Sequence, residues 1–300
     1  YIGDLSTSVD PNLTNTVKNS DLILVVGARL GEMTTGGYTT IKVKEKNKII
    51  HVYPDKKEIG KVFNPILGIH SNSNSFSKAI KYKKIKNINW SKWATNGRQD
   101  YLSYMKPPKY NKEPNMGKIM LILREIMPKN TIITIDAGNF SGWIQRFWSY
   151  SIPKTQLAPT SGAMGYAIPA AISAKLTKKR NPVIAFCGDG GFMMSSQELA
   201  TCHQFKINPI IILINNNMFG TIRMHQEKNY PNRKIATDLI NPNFKSLCKG
   251  YNAHYENILH HKTFKLALKR SLKLNKATVI EIKIDPQQIT TRQKLKDLNN

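Results

Sequence analysis

One stretch, residues 183–217, restricts the fold more than any other. Val183-Ile184-Ala185-Phe186 is an apolar run of strand length that stops at Gly188-Asp189-Gly190-Gly191. A helical stretch follows over residues 196–205. A second apolar run over 209–214 then stops at Asn215-Asn216-Asn217. Short continuous runs rich in β-branched residues describe strands buried on both faces. Two such strands joined by a helix form a βαβ crossover, which brings the chain back to the same edge of a parallel sheet. Asp189 and Asn216, with 26 residues between them, are therefore expected at neighbouring strand ends.

The same alternation runs along the rest of the chain. Residues 21–26 and 49–52 read as strands, the first ending in the turn-rich Gly27-Ala28-Arg29-Leu30-Gly31. Residues 131–135 and 278–284 read as further strands, and 90–105, 116–127 and 163–176 as helices. Pro107-Pro108 and Pro114 interrupt the pattern between two blocks. The fold class is α/β, with two parallel-sheet, Rossmann-like domains. The expected division is a partial central domain over 1–84, a linker over 85–115, a second domain over 116–290 and a tail over 291–300.

Composition narrows the partners. Cys187, Cys202 and Cys248 are far apart in sequence and form no C-x-x-C pair, which argues against a zinc site or a disulfide framework and fits a cytoplasmic setting. The formal charge is +26. Its lysines are spread in short clusters (42–48, 56–57, 81–86, 178–180, 294–296) with no RNA-binding signature beside them, so a general lysine bias is preferred to a nucleic-acid partner. The longest apolar runs are five residues, far below the ~20 that span a membrane.

Ligands of open α/β sheets sit beyond the C-terminal strand ends. Three strands here end in polar, glycine-bearing loops: Ala137-Gly138-Asn139, 188–191 and 215–220. Glycines let backbone N–H groups approach phosphate oxygens, and a helix starting near Ser195 is expected to point its positive end at the same place. A diphosphate also needs a hard cation, and magnesium takes oxygen ligands in an octahedral shell. Asp189 offers a carboxylate, Asn216 an amide oxygen and Met218 a backbone carbonyl.

The run from Gly188 through Gln197-Glu198-Leu199-Ala200-Thr201 to Asn215-Asn216-Asn217 and Gly220-Thr221-Ile222-Arg223 resembles the fingerprint of thiamine-diphosphate-dependent enzymes, in particular the acetolactate synthase-like carboligases and decarboxylases. Ser161-Gly162-Ala163-Met164-Gly165-Tyr166 resembles that family's segment beneath the cofactor's pyrimidine ring, and residues 27–31 its central domain. The resemblance implies thiamine diphosphate and Mg2+ as cofactors, with Asp189, Asn216 and the Met218 carbonyl as metal ligands. Ala137, Gly138, Asn139, Gly188, Gly190, Gly191, Gly220 and Thr221 would line the diphosphate. The Gly162 carbonyl would accept from the cofactor's 4′-amino group. Met164 would wedge between its two rings and hold the bent conformation. The reaction class implied is carbon–carbon bond formation or cleavage on a 2-oxo acid.

The resemblance begins inside the central domain. The family's glutamate that contacts the pyrimidine ring belongs to a preceding domain, so the chain is expected to be a fragment, or half of a split enzyme, and inactive alone. Where acetohydroxyacid synthases carry a tryptophan after the metal loop, this chain has His225, a candidate acid/base and pocket residue. Some relatives hold FAD on the central domain. Arg29 stands where an arginine would meet its phosphates, but an empty loop is the preferred expectation. A homodimer or tetramer with the site between subunits is implied. The alternatives are a non-catalytic, regulatory cofactor-binding module and, third, a basic nucleic-acid-binding protein.

Overall fold

The computed structural model describes residues 1–41, 48–83 and 88–298. Much of the lysine clusters at 42–48 and 81–86 lies outside the described residues. The chain divides into two compact units, Tyr1–Lys106 and Pro107–Asn300.

The first unit runs α1 (Pro11–Lys18), β1 (Leu22–Val26), β2 (Lys48–Tyr53), β3 (Leu67–His70), α2 (Ser73–Ile80), α3 (Ser91–Tyr104). Its strands form a parallel sheet in the order β1-β2-β3. Asp10 caps α1 by accepting from the Asn12 N–H, and Pro11 opens that helix with the φ it already holds. Val25, Leu30, Ile41, Ile49 and Phe63 make a small core. Helix α3 packs on α1, and the Tyr104 hydroxyl donates to the Ser8 carbonyl at 2.6 Å. The stretch expected as a linker from residue 85 thus contains a helix of the first unit, which extends to Lys106 rather than 84.

The second unit runs α4 (Met116–Ile126), β4 (Ile132–Ile135), α5 (Ser141–Phe147), β5 (Gln156–Leu157), α6 (Ala167–Thr177), β6 (Val183–Gly188), α7 (Asp189–Ser195), α8 (Leu199–Gln204), β7 (Ile210–Asn215), α9 (Gly220–Asn229), α10 (Phe244–Gly250), β8 (His254–Ile258), α11 (His261–Ser271), β9 (Thr278–Lys283). Six parallel strands stand in the order β5-β4-β6-β7-β9-β8. The α/β class with parallel sheets holds in both units.

Alternation along the strands builds two core layers. Ile184 and Phe186 of β6, with Ile210, Ile212 and Ile214 of β7, enter one layer with α4, α5 and α11. Val183, Ala185 and Cys187, with Ile211 and Leu213, enter the other with α6, α7 and α10. Period-2 side-chain alternation with helices on both faces is what makes these strands continuously apolar.

Two helix boundaries differ from expectation. The helix expected from residue 163 begins at Ala167, because Gly165, at φ +84°, interrupts it. The helix facing the strand ends begins at Asp189, not near Ser195, with Gly188 as its N-cap, and a 3₁₀ turn over Ser196–Glu198 separates it from α8. The segment after 290 is packed: Leu295 is buried against Met218 and Ile289. No helix among the described residues is long and apolar enough to cross a membrane.

Candidate cofactor site

The chain runs from β4 outward to β5 and then crosses back past β4 to β6, so the sheet's switch point lies between β4 and β6. A crevice at that point is where open α/β sheets take ligands. A cleft opens there. The loops after β4 (137–140), β6 (188–191) and β7 (216 and 218–222) line it together with Met164, Ile284, Gln288 and Ile289. The three polar strand ends therefore converge. Gly162 is not in the cleft wall. Its φ is +68° and nothing stands within 4 Å of where a Cβ would be. His225 is exposed on α9 and also lies outside the wall.

Asp189 begins α7 and is 2% exposed. Its partners are neutral: the Asn241 amide donates to Oδ2 at 2.7 Å, and the backbone N–H groups of Gly190 and Asn217 face the carboxylate. Burial pushes its pKa above the usual aspartate range, and these donors hold it partly back. Among the described residues no ion pair neutralises it. A buried carboxylate with donors but no cation is chemically suited to a divalent ion.

The loop after β7 supplies the other oxygens. Asn217 sits at φ +55°, and the Met218 N–H donates to Asn216 Oδ1 at 3.3 Å. Residues 217–219 zip against 237–239: Phe219 N–H donates to the Thr237 carbonyl and Leu239 N–H to the Asn217 carbonyl, each at 2.8 Å. Those bonds leave the Met218 carbonyl uncommitted. The zipper delivers Asn241, whose Nδ2 also reaches Asn217 Oδ1 at 3.0 Å and Asn215 Oδ1 at 3.2 Å. Asn215 is fixed in turn by donating to buried Glu281 on β9 at 2.7 Å, and the Tyr255 hydroxyl donates to the same carboxylate.

The glycines allow close approach. A Cβ at Gly190 would meet the Phe219 ring at 2.6 Å and Met164 Cε at 3.3 Å; one at Gly138 would meet the Phe140 ring at 2.6 Å. The β4 loop is tied to α9 where the Asn139 N–H donates to Thr221 Oγ1 at 2.9 Å.

Sequence reasoning missed two residues that build the site. Asp136, 2% exposed at the end of β4, accepts from the Gly165 and Tyr166 N–H groups at 2.9 Å and so holds the loop that carries Met164. Burial raises its pKa, and backbone donors offset part of that rise. Asn241 was missed because Asn241-Pro242-Asn243 carries only the signature of a turn. All three cysteines are free and buried. Arg29 lines a small recess of the first unit with His51, Glu58 and Phe63.

Comparison with known sequences defines the class. Residues 136–282 match the C-terminal TPP-binding domain of thiamine pyrophosphate enzymes, and residues 1–80 match the central domain of the same enzymes. The chain belongs to the thiamine pyrophosphate enzyme family. Within it, the chain is similar to acetolactate synthase large subunits. It is 31% identical to a probable one from Methanocaldococcus jannaschii over 91% of this chain and 48% of that protein. It is 28% identical to the Lactococcus lactis subunit over 81% and 43%. It is 24% identical to the isozyme 2 subunit of Escherichia coli over 95% and 52%. The chain spans about half the length of the curated relatives it matches.

Proposed function

We propose that this chain binds thiamine diphosphate with Mg2+ in the second-unit cleft and serves carbon–carbon bond formation or cleavage on a 2-oxo acid. Bound there, the cofactor supplies the reactive carbon and the electron sink for chemistry beside a carbonyl. The observation that carries the reading is the buried Asp189 carboxylate, surrounded by neutral amides beside an uncommitted Met218 carbonyl and Asn216.

The residues divide the task. Asp189, Asn216 and the Met218 carbonyl would hold the metal. The N–H groups of the 138 and 190 loops would meet the diphosphate. Met164, held through the Asp136 brace, would support the rings. Assembly with a second subunit against the cleft belongs to the same reading; the half-exposed Met194 and Ile222 favour it. A second reading, a regulatory module that binds cofactor without turnover, shares every one of these contacts and differs only in rate.

The test is binding. Trp143 lines the cleft, so the part of the tryptophan emission that is lost in Trp143→Phe reports on it, the other emitters being Trp90, Trp93 and Trp148. The expected result is quenching by thiamine diphosphate that requires Mg2+ and is lost in Asp189→Asn with the fold intact by circular dichroism. Metal-independent quenching, or none, would sink the proposal. Product formation from a 2-oxo acid then separates the enzyme from the regulatory module.

A further inference from the structure

We propose that Glu281 is a positioning residue for the metal carboxylate: acting through Asn215 and Asn241, it fixes how Asp189 is held. The inference rests on the cofactor reading above and extends it to β9, a strand that contributes no residue to the cleft wall.

Glu281 stands where an apolar residue is expected. It pairs in register with Leu213 of β7, and its neighbours in sequence on the same side, Ala277 and Val279, enter the core layer with α6, α7 and α10. It is 2% exposed. A carboxylate so placed is costly unless its oxygens find donors. Both do. The Tyr255 hydroxyl donates to Oε2, and Asn215 Nδ2 donates to Oε1 at 2.7 Å. The Lys283 ammonium group, more than half exposed, stands 4.0 Å from Oε1.

Glu281 sets the polarity of the groups that follow. A carboxylate only accepts, so Asn215 turns its amide nitrogen toward it and leaves Oδ1 for other partners. That oxygen accepts from the Asn217 N–H at 3.0 Å and from Asn241 Nδ2 at 3.2 Å. The same Asn241 Nδ2 donates to Asp189 Oδ2 at 2.7 Å. One arm of the chain thus ends on Asp189, and the other fixes the peptide that follows Asn216. If the Asn215 amide were turned over, its nitrogen would face two donors. If the Asn241 amide were turned over, its oxygen would face the Asp189 carboxylate. Hydrogen-bond partners behind metal ligands orient them, and their loss weakens metal binding by about 10–100-fold.

The experiment measures the Mg2+ affinity of the full chain by calorimetry at saturating thiamine diphosphate, with folding checked by circular dichroism. Glu281→Met removes the acceptor, and the expected result is about tenfold weaker Mg2+ binding. Glu281→Gln keeps an acceptor for Asn215 while its nitrogen meets the Tyr255 oxygen, and should restore Mg2+ affinity to within about twofold of wild type. Asn241→Ala, at a part-exposed position, should match Glu281→Met. Combining the two should weaken binding no further, because both break one chain of contacts. Wild-type affinity in Asn241→Ala, or in a Glu281→Met that only unfolds more readily, would overturn the proposal. So would losses that multiply in the double variant, or a Glu281→Gln as weak as Glu281→Met, which marks an effect of charge. If the wild-type chain binds no Mg2+ with thiamine diphosphate, the cofactor reading itself fails and takes this inference with it.

Discussion

A methyl group added at Gly191 would sit 2.1 Å from Asp136 Oδ2, an oxygen already held by the Gly165 N–H. Neither partner can retreat, since the carboxylate is buried and its donors are backbone. Gly191→Ala should therefore cost about 2–3 kcal/mol in urea unfolding and weaken cofactor binding by displacing the Met164 loop. Gly162→Ala is the control: its φ of +68° carries a strain of about 1 kcal/mol, with open space around the new group. Similar losses in both variants would contradict the argument. At this scale the sequence was partly legible. Asp189 and Asn216 announce themselves because each ends an apolar run. Asp136 also ends one, but nothing in its neighbours shows that its task is to hold a loop thirty residues ahead.

Among the elements, α11 has an unusual start. His260 caps it, His261 opens it, and the two rings stack at 4.6 Å. Glu113, from the segment before α4, accepts from His261 Nδ1 at 2.6 Å and from the His261 N–H at 3.1 Å. Burial alone would raise the pKa of Glu113, but these bonds, the Asn115 N–H and the charge of His261 together pull it down to about 2. A depressed carboxylate stabilises the fold above its unfolded pKa of about 4.3 and loses that contribution as pH falls toward 2. The side chain is 30% exposed, so the contribution is screened to about 1 kcal/mol. Glu113→Gln should lower stability at pH 7 and match wild type at pH 2, where unfolding midpoints of the two are compared. A difference independent of pH would refute the assignment. Strands β4, β6, β7 and β9 were legible as apolar runs. Strand β8, His-Tyr-Glu-Asn-Ile, was not, because at the sheet's edge its side chains need not be apolar. Its Tyr255 meets Glu281, a pairing visible only once β8 lies beside β9.

For the whole molecule, every residue assigned to the cleft belongs to the unit Pro107–Asn300. That unit, with two complete core layers, should fold and bind Mg2+ and thiamine diphosphate when produced alone, within about threefold of the intact chain's affinity. Failure of the isolated unit to bind, while folded, would show that the first unit contributes. The charge of +26 should also draw a polyanionic cofactor inward, so its association rate should fall as salt rises, as stopped-flow measurements can show. The division into two α/β blocks was legible from the prolines near residue 107. The extent of the first unit was not, since α3 gave the same signal whether packed or free.

Strands β6 and β7 are paired with Gly188 opposite Ile214. The separation of Asp189, one residue past that pair, and Asn216, two residues past it, is thus set largely by a hydrogen-bonded ladder of fixed pitch rather than by the helices that join the strands. Insertions within the intervening helices would leave that gauge untouched, whereas the loss of a single residue inside either strand would turn one jaw of the vice away from the other.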